Sequence, residues 1–154
     1  SLVGKYEGQW RCTELDIPGD MIHEHAGQLE LWVNFSSDEV NFPVNGSTAV
    51  GAKGVAGAMT SSQLNMRFVA DNAVSANGIK TGTDVFTQVE NGGVGETIVN
   101  GTGVVNGRFY GNEGTAVGGN FSVDTEGGDK RYSGIFGGNR PLLEGSGGYT
   151  GGGI

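Results

Sequence analysis

The chain has 154 residues, with nine Lys and Arg against 17 Asp and Glu and a net charge of -8. That fits one ordinary domain, and without a basic cluster such a surface is repelled by phosphate backbones and anionic lipid, which disfavours nucleic acid and membrane-surface binding. Thirty-one Gly without a three-residue period exclude collagen, and no apolar run is long enough for a spanning helix. About 23% of the residues are Val, Ile, Leu or Phe, enough for a core. One Cys and two His can build neither an internal disulfide nor a four-ligand Cys/His zinc site, so the core must hold by packing.

Val outnumbers Leu sixteen to seven, a balance that favours strands because branched side chains lose less freedom there. From Lys5 to Thr13 the chain alternates strictly, with Tyr6, Gly8, Trp10 and Cys12 on one face and Lys5, Glu7, Gln9 and Arg11 on the other. This predicts a half-buried strand in which Cys12 is a small core residue. Glu14 to Gly27 separates that strand from the next by more than a hairpin turn and reads as a long loop. Gln28 to Phe35 alternates again, and Val40, Phe42 and Val44 follow a Ser36-Ser37-Asp38 turn signal. A glycine-rich strand near Val50 to Met59, then Leu64 to Phe68, Thr83 to Val89, Gly95 to Val99, Val104 to Tyr110, Val117 to Val123 and Arg131 to Phe136 complete eight to ten strands. Asn-Gly pairs begin at Asn45, Asn77, Asn91, Asn100 and Asn106. The last two lie too close together for both to be hairpin tips, which predicts a bulge at one of them. Asn112 to Ala116 allows at most one helical turn. The prediction is an all-β domain: a single small antiparallel up-and-down β-barrel of about eight strands with a filled interior over residues 1–141, followed by a glycine-rich tail over 142–154.

Phe109-Tyr110-Gly111, then Gly118-Gly119-Asn120-Phe121, then Phe136-Gly137-Gly138-Asn139-Arg140 resembles the closing signature of the transferrin-binding protein B-like barrels. Asn112 stands where the family has Pro, and Asn139 where it has Lys. The motif is structural in kind: Gly111 ends a strand, Gly118-Gly119 allows close strand approach, Phe121 and Phe136 fill the interior, and Arg140 closes the signature. The resemblance implies an eight-stranded barrel on the surface of a Gram-negative bacterium, as a lipid-anchored lipoprotein of the outer membrane or a secreted protein. It also implies export by the Slam outer-membrane machinery, and binding of a host protein or haem in place of catalysis.

Both histidines fall in the Glu14 to Gly27 segment. In extended backbone His23 and His25 share a side, and imidazole ligates haem iron and transition metals, so these two are the candidate haem or metal ligands. Ile17, Met21 and Ile22 add apolar surface, and with the two histidines they form the candidate ligand-binding loop. The bland reading is a set of solvated loop residues. No nucleophile elbow, phosphate loop or His-Glu-x-x-His is present, and Glu7 and Glu30 fall on outward faces, so no enzyme is expected. The expected function is a surface-exposed or secreted binding barrel that engages its ligand through loops at one end. The alternative is a structural or export-recognition module of a larger lipoprotein or adhesin.

Overall fold

A computed structural model describes residues 3–40, 51–91 and 97–141. Among them are nine strands: β1 (Val3–Asp16), β2 (Met21–Asn34), β3 (Val55–Thr60), β4 (Leu64–Ala70), β5 (Gly78–Lys80), β6 (Phe86–Asn91), β7 (Thr97–Tyr110), β8 (Ala116–Thr125) and β9 (Lys130–Asn139). All pairings are antiparallel. The order runs β7-β6-β4-β3-β2-β1-β9-β8, and β8 pairs back to β7, so eight strands close into a barrel with no free edge. β5 is the extra strand: it pairs with Asn106 to Arg108 of β7, while β6 pairs with the earlier part of the same edge. This is the closed up-and-down barrel that the alternation predicts.

Three local points refine the sequence reading. Glu14 to Gly27 is not a long loop, because β1 continues to Asp16, β2 begins at Met21, and the two pair without a break up to Asp16 and Met21. Neither Asn100-Gly101 nor Asn106-Gly107 makes a turn. Both lie inside β7, whose register with β8 is unbroken from Gly101 to Tyr110, and the expected bulge is found at the first of them, as the register shift between the Phe86–Gly101 and Val89–Val99 pairs, with the extra residue on β6 opposite Asn100. Pairing along fourteen residues overrides the local preference of the dipeptide. β5 has no counterpart among the predicted strands. Phe42, Val44 and Asn45, the Gly92 to Gly95 stretch and the tail from 142 onward lie outside the described residues.

The inward row of β1 carries Tyr6, Trp10 and Cys12. Leu31, Val33, Met66, Phe68, Phe86, Phe121 and Tyr132 meet them from the other strands, all buried, so the interior is filled by side chains. The end that holds the start of β1 is plugged by a 3-10 turn at Asn112–Gly114, entered through Gly111 at φ 78. Tyr6 donates its hydroxyl to the Gly114 carbonyl, and buried Arg140 donates from Nη2 to the Glu113 carbonyl at 2.7 Å. Phe109 packs against Tyr6 and Phe35, with ring centroids 5.9 and 5.1 Å apart. Of the two motif glycines in β8, Gly119 is the tight one, since a Cβ there would lie 2.0 Å from the Asn106 carbonyl oxygen; at Gly118 the nearest atom is 3.6 Å away.

Candidate functional site

The opposite end carries the β1–β2 turn, residues 17–20, and the β8–β9 turn, residues 126–129. The two are tied together, because the Ile17 amide donates to the Asp129 carbonyl at 2.9 Å. Asp16 accepts from the Gly19 amide at 3.4 Å and shapes the tip. The described residues at this tip include three exposed large apolar side chains, Ile17 (43% exposed), Met21 (53%) and Ile22 (67%). The pleat puts Met21, opposite Asp16, on the inward row and Ile22, opposite Leu15, on the outward row, so the tip is apolar on both faces.

His23 and His25 share the inward row but not an environment. His23 is exposed. The His25 ring is 7% exposed, stands against Tyr132, and donates from Nε2 to the Glu14 carboxylate at 2.8 Å. Lys130 donates to the other Glu14 oxygen at 2.9 Å. Glu14, 3% exposed, therefore sits between β2 and β9 and satisfies a donor from each. Burial pushes its carboxyl up, but the hydrogen bonds and charges of Lys130 and His25 outweigh that and hold it below the ordinary glutamate value. Sequence reasoning missed Glu14. The alternation through Tyr6, Gly8, Trp10 and Cys12 continues to it, and that parity was the signal available.

The two histidines do not present equivalent rings to a ligand: His25 Nε2 is engaged by Glu14, whereas His23 stands exposed at the rim, and no group of three His, Cys, Asp or Glu among the described residues is placed to hold a metal ion. Cys12 is buried, and burial, with the Glu14 charge adding to it, pushes its thiol up to about 12. The native protein should accordingly be inert to a thiol-specific disulfide reagent at pH 8 and react fully once unfolded in guanidinium. Rapid labelling of the native protein would contradict the packed position of Cys12.

Elsewhere, Trp32 faces outward but is half-buried against Ala56, Ala58 and Val69. Its indole donates to Glu30 at 3.1 Å and Lys5 lies over the ring, so it serves as cover for the wall of β3. A shallow outer cavity of about 430 Å³ runs over β9, β1 and β2 beside Arg11, Ala26 and Ile135. Tyr110, of the closing motif, is 55% exposed on the outer wall.

The family described as the C-lobe and N-lobe beta barrels of Tf-binding protein B matches residues 3–140. Comparison with curated proteins finds no match. Among solved structures, a double mutant of the vaccine antigen transferrin binding protein B from Haemophilus parasuis Hp5 is similar with a TM-score of 0.52 and 14% identity over 92% of this chain. The isotype 1 transferrin binding protein B from serogroup B Neisseria meningitidis is similar with a TM-score of 0.51 and 18% identity, also over 92%. The chain spans 26% and 25% of those two proteins. At these identities the likeness is one of fold.

Proposed function

The chain belongs to the family of C-lobe and N-lobe beta barrels of Tf-binding protein B, and from that premise we propose that it is a non-enzymatic binding barrel that engages a host protein, transferrin first among candidates, through its turn end. The observation that carries this reading is the exposure of Ile17, Met21 and Ile22 on one hairpin tip above a filled interior. Large apolar side chains held in water on a rigid support are what protein interfaces bury, whereas the packed lumen leaves no room for a carried ligand. The location that goes with this function is the outer surface of a Gram-negative bacterium, lipid-anchored or secreted, reached through outer-membrane export machinery. Haem has less support, because His23 is then the one exposed imidazole at the rim and His25 is committed to Glu14.

The test is binding of host transferrin to the immobilised chain, compared with Ile22→Asp. At a buried contact the substitution should weaken binding by about 30-fold or more. Equal affinity of the two proteins would sink the rim assignment. The second reading, a structural or export-recognition module with the ligand site elsewhere, is favoured by the chain's spanning about a quarter of its solved relatives. Failure of this chain to bind transferrin under conditions where a full-length family member binds it would support that reading.

A further inference from the structure

Resting on the rim reading, the charges around the tip specify what kind of surface it fits. Two cations stand at this end, and both are committed within the chain: Lys130 to Glu14 at 2.9 Å and Arg131 to Asp124 at 2.7 Å. Asp20 on the β1–β2 turn and Glu126 and Asp129 on the β8–β9 turn are exposed, and no salt bridge among the described residues involves them. The Ile17 to Asp129 hydrogen bond holds both turns in one frame. An apolar tip is thus flanked by carboxylates whose field is not cancelled locally. Like charges across an interface are strongly unfavourable and opposite ones accelerate encounter, so the partner face must be apolar at its centre and basic at its rim.

We propose that the β1–β2 tip and the β8–β9 turn form one docking surface for a protein groove with an apolar floor and Lys or Arg along its edges, in which Ile17, Met21 and Ile22 insert and Asp20, Glu126 and Asp129 meet the basic edge. The occupant is a basic patch on a folded protein. The surface steers association through charge and retains the partner through the apolar tip.

The experiment compares two triple variants of the full chain with equal charge change. One is Asp20→Asn, Glu126→Gln and Asp129→Asn at the rim. The other is Glu39→Gln, Asp71→Asn and Asp84→Asn, three carboxylates exposed at the far end. The probes are host transferrin and, separately, a synthetic peptide of alternating Lys and Leu with its Glu and Leu counterpart, each measured at low and high NaCl. The proposal predicts that the rim variant alone loses about tenfold in association rate with transferrin at low salt and loses its salt dependence. Transferrin bound equally by both variants overturns the proposal while leaving the proposed function standing. If transferrin does not bind at all, the function fails, yet the docking surface stands where the Lys–Leu peptide binds and the rim variant alone weakens it. Equal peptide binding by both variants overturns it.

Discussion

Gly8→Ala should destabilise the barrel by about 3 kcal/mol or more, which for a domain of this size lowers the melting temperature by roughly 6–12 °C. A Cβ at Gly8 would lie 1.9 Å from the Gly137 carbonyl oxygen and 2.5 Å from the Gly138 Cα. Both are backbone atoms of β9, the strand that joins the two chain ends across the barrel, and Gly8 faces Gly138 in that register. A rotamer change cannot relieve such a clash, so β1 and β9 must separate where they close the sheet. Gly82→Ala is the matched control, since nothing lies within 4 Å of the added carbon, and its stability should be unchanged or slightly raised. Thermal melts of both variants decide the matter, and a Gly8→Ala melt equal to wild type would mean that the seam is looser than described.

The second large effect belongs to Glu14. Glu14→Ala removes the carboxylate that satisfies His25 and Lys130 at once; Lys130, 31% exposed, can turn to water, but the buried His25 ring loses its acceptor, at a cost of about 1–3 kcal/mol. Replacing Glu14, His25 and Lys130 together by apolar residues of similar size should cost much less, because the expense lies in orphaned partners more than in the loss of the pairing itself. The pH dependence follows from the lowered Glu14 value. The folded carboxyl titrates below the unfolded one, so its contribution is fully present above the ordinary value of 4.5 and fades as pH falls through the lower folded value. The wild-type minus Glu14→Ala difference in stability should therefore shrink as the solution is acidified below the ordinary glutamate value. The groups around this carboxyl include Cys12 on β1, His25 and His23 on β2 and Lys130 and Tyr132 on β9. A difference that grows in acid would contradict the assignment.

Strands with one dry and one wet face announced themselves. In β1, Tyr6, Trp10 and Cys12 alternate with charged residues, and in β4, Leu64, Met66 and Phe68 alternate with polar ones. The signal failed where the inward row becomes polar. Past Cys12 the inward positions are Glu14 and Asp16 on β1 and His23 and His25 on β2, while Leu15 and Ile22 fall on the outward row, so the contrast between a dry and a wet face is lost and the segment resembled a loop. That same polarity hides the ion cluster, whose members Glu14 and Lys130 are 116 residues apart and become neighbours through the β1–β9 pairing. β5 escaped because three residues hold no period; its place depends on the stretch of β7 that β6 leaves vacant. The closing motif was legible as residues and as a resemblance, but which of its glycines are confined was not: Gly119 meets the backbone of β7 and Gly138 that of β1, while Gly118 and Gly137 have ordinary space around them.

We propose that recognition takes place at the turn end of a closed, filled barrel. The most direct measurement is cross-saturation from unlabelled host transferrin to the isotope-labelled chain, read residue by residue. The expected transfer is centred on Ile17 to Ile22 and on Glu126 to Asp129, with the Asn112–Gly114 plug and the outer wall of β7 and β8 untouched. Transfer centred on Tyr110 and Asn120, or on the plug, or transfer to no residue at all, would contradict it.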